Sequence, residues 1–495
     1  MPFPSRFILL FCLLTSTIFA QTGFQTKSFS LPGGQEFMST ADFNHDGRPD
    51  LLLTGGLHPA IMLNTGGGNF AAPVDIDTTI FNFGGLAADF NGDGIPDVVG
   101  CGTDALENAF LIIYLNDGAG HFTRSESIPM GHGCNGIQVG DVNHDGKMDV
   151  LTGTVTTWFG DGAGHLVRSV SQTLNVNPVK HPEITGCFAS GVLAGHFLTD
   201  GTLDLLITGV CNNPPGQATI DYGTLYFGHG DNTGHFVLSE VFEADVTWDF
   251  TGAAVDVNHD GRLDALLTHR LNQKNNAQVL YALDVAFNQG SGHFAVTDIF
   301  NLDATTTPNN TFVFSGGAAD FDRDGLPEVA VAFEKNSAFG VAIVDGELGN
   351  VWNIAQQWSL PGISFSTVSA DFNRDGRPDL ATIAINPDLT GTLFVYLNEM
   401  VAACSTPASP GVHVCAPLAG HTYTSPVAMI GAGRAANGSV SRMELWIDGH
   451  KIANFPGNEI NTPVSLPAGN HSATMVEVDT TGAFIKSAPV TFTVH

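Results

Sequence analysis

The stretch DFNHDGRPD, residues 42–50, decides how this chain reads. It returns as DFNGDGIPD (89–97), DVNHDGKMD (141–149), DVNHDGRLD (256–264), DFDRDGLPE (320–328) and DFNRDGRPD (371–379). A worn copy, HFLTDGTLD, stands at 196–204. Written D-x-N-x-D-G-x-x-D, the loop sets oxygen ligands at alternating positions, which in the first copy are Asp42, Asn44, Asp46 and Asp50. Gly47 permits the bend that carries the chain round a cation, where a side chain would be strained. Carboxylates this close together repel one another unless a divalent ion neutralises them. A single copy is weak evidence for metal; six near-intact copies are not a coincidence.

The first six positions look like the opening of an EF-hand loop, but the last acid falls at position nine, not twelve. Apolar, β-rich runs follow it (DLLLTGG, DVVGCG, DALLTH), so the loop is expected between strands. The copies begin at 42, 89, 141, 196, 256, 320 and 371, spaced by 47, 52, 55, 60, 64 and 51 residues. A strand-rich period near that length indicates a propeller. Each unit reads as a strand into the loop (GGLAADF), a strand out of it (PDVVG), a third strand (FLIIYLND), a Gly-rich turn (GAGHF) and a fourth strand (TRSESIP). The fold expected is all-β: a seven-bladed β-propeller followed by a small immunoglobulin-like β-sandwich. FQTKSFSLP (24–32) reads as a fourth strand with no unit before it, and the last unit lacks one. Pairing the two closes the ring and removes an open edge.

The repeats resemble FG-GAP (VCBS-type) repeats, the units of the integrin α-subunit head and of many secreted bacterial propellers. The resemblance rests on the acidic loops and on the Gly-rich turns GGGNFAAP (66–73), GAGHF (118–122), GAGHL (162–166), NTGHF (232–236) and GSGHF (290–294), and covers roughly residues 24–399. It implies calcium at about six sites. The ligands implied are Asp42, Asn44, Asp46 and Asp50; Asp89, Asn91, Asp93 and Asp97; Asp141, Asn143, Asp145 and Asp149; Asp256, Asn258, Asp260 and Asp264; Asp320, Asp322, Asp324 and Glu328; and Asp371, Asn373, Asp375 and Asp379. The backbone carbonyls of Arg48, Ile95, Lys147, Arg262, Leu326 and Arg377 are implied to join them. The fourth unit departs: His196 and Leu198 replace the first two ligands, leaving Asp200 and Asp204, and no tight calcium is expected there. The family resemblance says little about activity.

Histidines recur in the Gly-rich turns at His121, His165, His235 and His293. Equivalent positions on a ring stand far apart, so a structural role is expected for them. Trp158, Trp352 and Trp358 fall in expected strands and read as packing. The calcium loop and the Gly-rich turn share one face of the ring. Extra length in the middle units is expected on the other face, in 211–223, 269–278, the segment around Trp248, and 301–310. Long loops on a rigid frame are a usual place for binding. Tyr222, Trp248, His269, Arg270 and Lys274 in those segments suit a glycan or an acidic group, against the plainer reading of neutral surface insertions.

Residues 1–20, MPFPSRFILLFCLLTSTIFA, read as a secretory signal peptide with cleavage near Ala20, so a secreted, extracellular or periplasmic location is expected. Export suits weak calcium sites, because calcium is plentiful outside cells. The net charge is −31, and the six good loops hold 19 of the carboxylates. No basic patch is visible, so nucleic acid is not an expected partner, and neither is membrane insertion. A monomer is expected. Cys101, Cys134, Cys187, Cys211, Cys404 and Cys415 follow the signal segment; an oxidising compartment permits the pairs 101–134, 187–211 and 404–415, which stand level with the reading that some remain free buried thiols.

The propeller is assigned to residues 21–399, a linker rich in Ala, Ser and Pro to 400–410, and a second domain to 411–495. The second alternates apolar and polar residues between DG, GN and TG turns, giving six or seven expected strands. Its MELWIDG and closing VTFTV segments resemble bacterial immunoglobulin-like domains. No Cys…Trp…Cys core signature is present.

Three functions compete. The preferred one is a non-catalytic binding or adhesion protein that recognises a glycan or an extracellular protein through the loops opposite the calcium face. Similar propellers also occur in polysaccharide lyases and some hydrolases, but the sequence shows no G-x-S-x-G, no H-E-x-x-H and no titratable cluster that breaks the repeat symmetry. The third is a purely structural cell-envelope part.

Overall fold

The computed structural model describes residues 24–130, 136–153, 156–172, 186–212, 222–244, 246–272, 279–301, 311–322, 326–335, 338–347, 351–399, 406–407, 409–417, 420, 422–423 and 427–494. Among them there is no helix; regular structure is entirely β.

Residues 24–399 form seven four-stranded antiparallel sheets. Their first strands are Phe37–Ala41, Phe81–Ala88, Ile137–Gly140, Gly186–Gly195, Val246–Val255, Thr311–Ala319 and Thr367–Ala370. Each first strand lies beside those of the sheets before and after it, and Thr367–Ala370 lies beside Phe37–Ala41, so the sheets follow one another round a ring. The last sheet takes its outer strand from the start of the chain. Phe24–Leu31 pairs antiparallel with Gly391–Asn398, Phe24 opposite Asn398 and Leu31 opposite Gly391. That pairing satisfies backbone groups that an open edge would leave exposed.

Burial explains the hydrophobic pattern. The second strand of each sheet lies between neighbouring sheets and is covered on both faces, so it reads as an unbroken apolar run: Asp50–Thr54 (DLLLT) is buried throughout. The outer strand Phe122–Met130 (FTRSESIPM) has water on one side and carries charge. The core is therefore a series of inter-sheet layers. In one, Leu51, Leu53 and Met62 of the first sheet meet Phe372, Ile383 and Leu393 of the last. A cavity of about 350 Å³ opens beside the first strands, bordered by Met38, Gly84, Gly85, Ile137 and Ser366.

Part of the extra length expected in loops of the middle units lies in strands: Asp204–Asn212, Asp264–Asn272 and Val279–Gly290 run 9, 9 and 12 residues, against 5 for Asp50–Thr54, while 213–221, 273–278 and 302–310 lie outside the described residues. Tyr222, Trp248, His269 and Arg270 lie in strands, with Trp248 opposite His269. Their polar flanks suggested loops, but an antiparallel hairpin satisfies backbone groups whatever the side chains. The side chains of these four residues, and Lys274 entirely, lie outside the described residues.

Residues 411–494 form two further sheets. One holds Gly411–Ala416, Val427–Arg434 and Glu459–Val464. The other orders Thr422–Tyr423, Val490–Val494, Gly469–Asp479, Val440–Ile447 and His450–Pro456, with Phe484–Lys486 also paired to Gly469–Asp479. Met429, Met443, Leu445, Ile460, Met475 and Phe492 fill the space between them. These are nine strands, more than expected, two of them, Thr422–Tyr423 and Phe484–Lys486, only two or three residues long. Cys101 and Cys415 each belong to a disulfide. The backbones of Cys187 and Cys211 are directly opposed, while their sulfurs, Cys134, Cys404 and the signal segment lie outside the described residues.

Candidate metal centres

Each acidic loop joins the first strand of a sheet to the second. In the first loop, Asp42 accepts the backbone N–H of Asp46 on Oδ1 at 3.0 Å and that of Gly47 on Oδ2 at 2.7 Å. Asn44 Oδ1 and Asp46 Oδ1 accept the N–H groups of Asp46 and Arg48 at 3.2 and 2.9 Å. His45 and Gly47 take positive φ, 57° and 80°, which turns the chain back on itself. The same bonds recur in the loops of Asp141, Asp256 and Asp371, and in that of Asp89 with Gly92 donating to Oδ1; in all four, Gly94, Gly146, Gly261 and Gly376 donate to the leading carboxylate at 2.7–2.8 Å. The repeated motif thus builds one repeated oxygen-rich turn.

The acid at position nine has a second task. Asp50 is fully buried; its Oδ2 accepts the N–H of Phe43 at 2.9 Å and its Oδ1 that of Asn64 at 2.7 Å. Asp97, Asp149, Asp264 and Asp379 repeat this clamp between the loop and the end of the third strand. Burial, followed by the repulsion of neighbouring loop carboxylates, pushes Asp50, Asp97, Asp149 and Asp264 up to about 6. Burial takes Asp379 to about 7. A divalent cation would reverse that balance, since it favours the charged form.

Two further residues complete the loop, and the sequence reading missed both roles. In four sheets an asparagine stands at or just beside the end of the third strand. Its Nδ2 donates to the carbonyl of the position-two residue in the preceding sheet: Asn64 to Phe372 at 2.8 Å, and Asn116 to Phe43, Asn288 to Phe197 and Asn398 to Phe321 each at 2.7 Å. The signal was present in the recurring MLN, YLN, AFN and YLN endings (62–64, 114–116, 286–288, 396–398). The side chains of Arg48, Arg262 and Arg377 donate through Nε to the carbonyls of Asn64, Asn288 and Asn398 at 2.7–2.8 Å and pair with Asp46, Asp260 and Asp375. Only their backbone carbonyls had been expected to matter.

The sixth loop draws its acids closest. Oxygens of Asp320, Asp322 and Glu328 lie within 4.8 Å of one another. Glu328 is buried; its Oε2 accepts the N–H of Phe321 at 2.6 Å, while its Oε1 accepts no hydrogen bond. Burial pushes this carboxyl up to about 8. An all-oxygen set with a buried, unsatisfied carboxylate oxygen fits a hard divalent cation. Asp324 lies outside the described residues.

The fourth loop keeps the clamp and fills the arc with nitrogen. Asp204 Oδ2 accepts the N–H of Leu198 at 3.0 Å. His229 Nδ1 meets Asp204 Oδ1 at 2.8 Å, and its Nε2 lies 3.6 Å from Asp200. His196 Nδ1 bonds the carbonyl of Thr202, the position-seven carbonyl, at 2.8 Å. Among the histidines of the Gly-rich turns, His121 and His165 each pair with an aspartate of their own turn, Asp117 and Asp161. Trp358 packs against Tyr396 and Phe24, with ring centres 4.4 and 5.0 Å apart.

The family profile described as FG-GAP-like repeat matches residues 42–100, 89–152 and 320–382. No curated protein matches the chain. Among solved structures, the extracellular domains 1-2 of Drosophila Semaphorin 1b share 10% identity, over 76% of this chain and 88% of that one, at a TM-score of 0.38. A structure of Drosophila Plexin A in complex with Semaphorin 1b gives the same values, 10%, 76%, 88% and 0.38. A Synechocystis apocarotenoid oxygenase shares 10% identity over 67% of this chain and 72% of that one, at a TM-score of 0.35. The described chain is all-β, its sheets follow one another round a ring as in a propeller, and within that ring residues 42–152 and 320–382 match the FG-GAP-like repeat.

Proposed function

We propose that the chain is a secreted, calcium-stabilised, non-catalytic binding or adhesion protein. The ring is read as a seven-bladed propeller and residues 411–494 as an immunoglobulin-like sandwich that serves as spacer or second contact. Calcium is held by the acidic loops of every unit except the fourth. The reading is carried by one observation: an oxygen-rich turn is rebuilt at the same end of sheet after sheet, clamped to the frame by a buried acid. Repetition at one end stiffens the ring and leaves the other end, where the second-to-third strand turns lie, open to diverge. The partner is a glycan or an extracellular protein. The cysteines pair as 101–134, 187–211 and 404–415 in the oxidising compartment to which the signal segment directs the chain.

The test is a glycan- and polysaccharide-array assay on the calcium-loaded protein, with product release measured on every hit. Binding without turnover, lost on chelation and regained on adding calcium, is the expected result. Turnover of a bound polysaccharide would replace this reading with an enzymatic one.

A further inference from the structure

The acidic loops occupy one end of the sheets; at the opposite end the turns between second and third strands of the last, first and second sheets surround a groove of about 640 Å³. Leu57 and Leu389 line it, one from each of two neighbouring sheets, and Leu106 projects from the turn of the third. They are 61%, 74% and 82% exposed, the most exposed leucines of the described residues. Phe81 lies in the floor. Acids rim it: Glu36, Asp104 and Glu107 line the groove, Asp388 adjoins Leu389, and no Lys or Arg lies among the lining residues. Glu36 and Glu107 have no ion-pair partner among the described residues, and burial pushes the Glu36 carboxyl up.

The turns hold these side chains in an unusual way. Glu107 and Leu389 take φ of 63° and 65°, in turns closed by Glu107 N–H to Asp104 O at 3.0 Å and Leu389 N–H to Asn386 O at 2.9 Å. At the other end of the molecule such positions are held by glycine, as at Gly118 and Gly120, or by polar residues such as His45 and Asn232, and by no leucine among the described residues. A leucine seldom adopts this conformation, and strained residues of this kind gather at sites of recognition.

We infer that this groove seats a protein segment that presents a large apolar side chain beside a lysine or arginine. Leu57, Ile385 and Leu389 beside a single aromatic, Phe81, give a mainly aliphatic lining that suits an apolar side chain better than a sugar face. Leu106 and Leu389 stand too far out to be covered by a small molecule sunk in the groove, and the acidic rim complements only a cationic neighbour. The inference rests on the reading of the chain as a binding protein and chooses protein over glycan as the partner.

The test is selection of a phage-displayed random-peptide library on the full calcium-loaded chain, with the Leu57→Asp/Leu389→Asp variant as comparison. The expected peptides share a large apolar residue flanked by Lys or Arg and bind the variant at least about tenfold more weakly. Their affinity should also fall as salt rises. A second variant, Glu107→Lys, should weaken the same peptides without touching the leucines, and an unchanged melting temperature shows that either variant is folded. Equal enrichment on both proteins, a consensus lacking the cation, or no enrichment overturns the groove assignment. If no peptide is enriched but the chain binds an array glycan, the broader binding reading stands while this one falls; if neither peptides nor glycans bind, both fall.

Discussion

The first and fourth loops share a backbone course and differ in what fills it. In the first, Asp42, Asn44 and Asp46 hold one another through backbone N–H groups, and Asp50 anchors the loop from beneath. In the fourth, the leading positions are His196 and Leu198, yet the anchor Asp204 remains fully buried and still accepts an N–H from the loop. His229 takes the other oxygen of Asp204 and reaches toward Asp200, and His196 takes the Thr202 carbonyl. The oxygens left for an ion are thus engaged by imidazole. The comparison separates two tasks that the motif alone runs together: position nine serves the fold in every sheet, while positions one, three and five offer the all-oxygen arc that the proposed ion needs only outside the fourth.

Four measurements break or sharpen this division, taken from the largest expected effect to the smallest. Excess chelator removes every ion at once. An ion that binds only the folded chain at a hundred times its Kd contributes about 2.7 kcal/mol. With several such sites the melting temperature should fall by roughly 10 °C or more in calorimetry. An unmoved melt would end the calcium reading for all loops alike.

Asp50→Ala comes next, because it strips the acceptor from the buried N–H groups of Phe43 and Asn64. Chemical denaturation should report a loss of about 2–5 kcal/mol even without calcium. Asp204→Ala should cost a similar amount, since its anchoring role is the same. A small cost at Asp204 beside a large one at Asp50 would show that the fourth loop has lost the fold task as well as the ion.

Asn398→Ala removes the amide that ties the last sheet to the Phe321 carbonyl of its predecessor, a loss of about 1–3 kcal/mol. Calcium affinity at the neighbouring loops should change little. If metal is lost in step with stability, the asparagine belongs to the ion site and not to the joint between sheets.

The smallest effects bear most directly on the comparison. Asp46→Ala should release about one bound ion per chain, counted by elemental analysis, and in chelator should change stability by no more than about 0.5 kcal/mol. Asp200→Ala should release none. Equal ion losses would mean that the fourth loop binds metal despite its histidines.

Much of the frame was legible because a repeated chain repeats its physics. The acidic motif marks the turn between first and second strands, the apolar runs mark strands covered on both faces, and the orphan strand at 24–32 finds its partner at 391–398. Polarity misled the reading of the middle units: His269, Arg270 and Tyr222 looked like loop residues, yet lie in extended hairpins. Backbone pairing, not side-chain character, sets the length of a hairpin whose far end faces water. The asparagine ties between sheets were also hidden. The recurring Asn was visible, but its acceptor belongs to another repeat, 308 residues away in the case of Asn64 and Phe372.

What the sequence determined by itself is therefore local: the acidic turn with its glycine, the order of strands around it, and the loss of ligands at His196 and Leu198. Those depend on neighbours in the chain and on the side-chain chemistry of a nine-residue stretch. Only the tertiary structure decided which oxygen is buried and which is offered, that His229 reaches Asp204 across 25 residues, and that leucines from two separate turns, Leu57 and Leu389, meet at one groove. These are contacts between segments with no fixed spacing along the chain, and they come into being when the ring closes and neighbouring sheets bury their faces against each other.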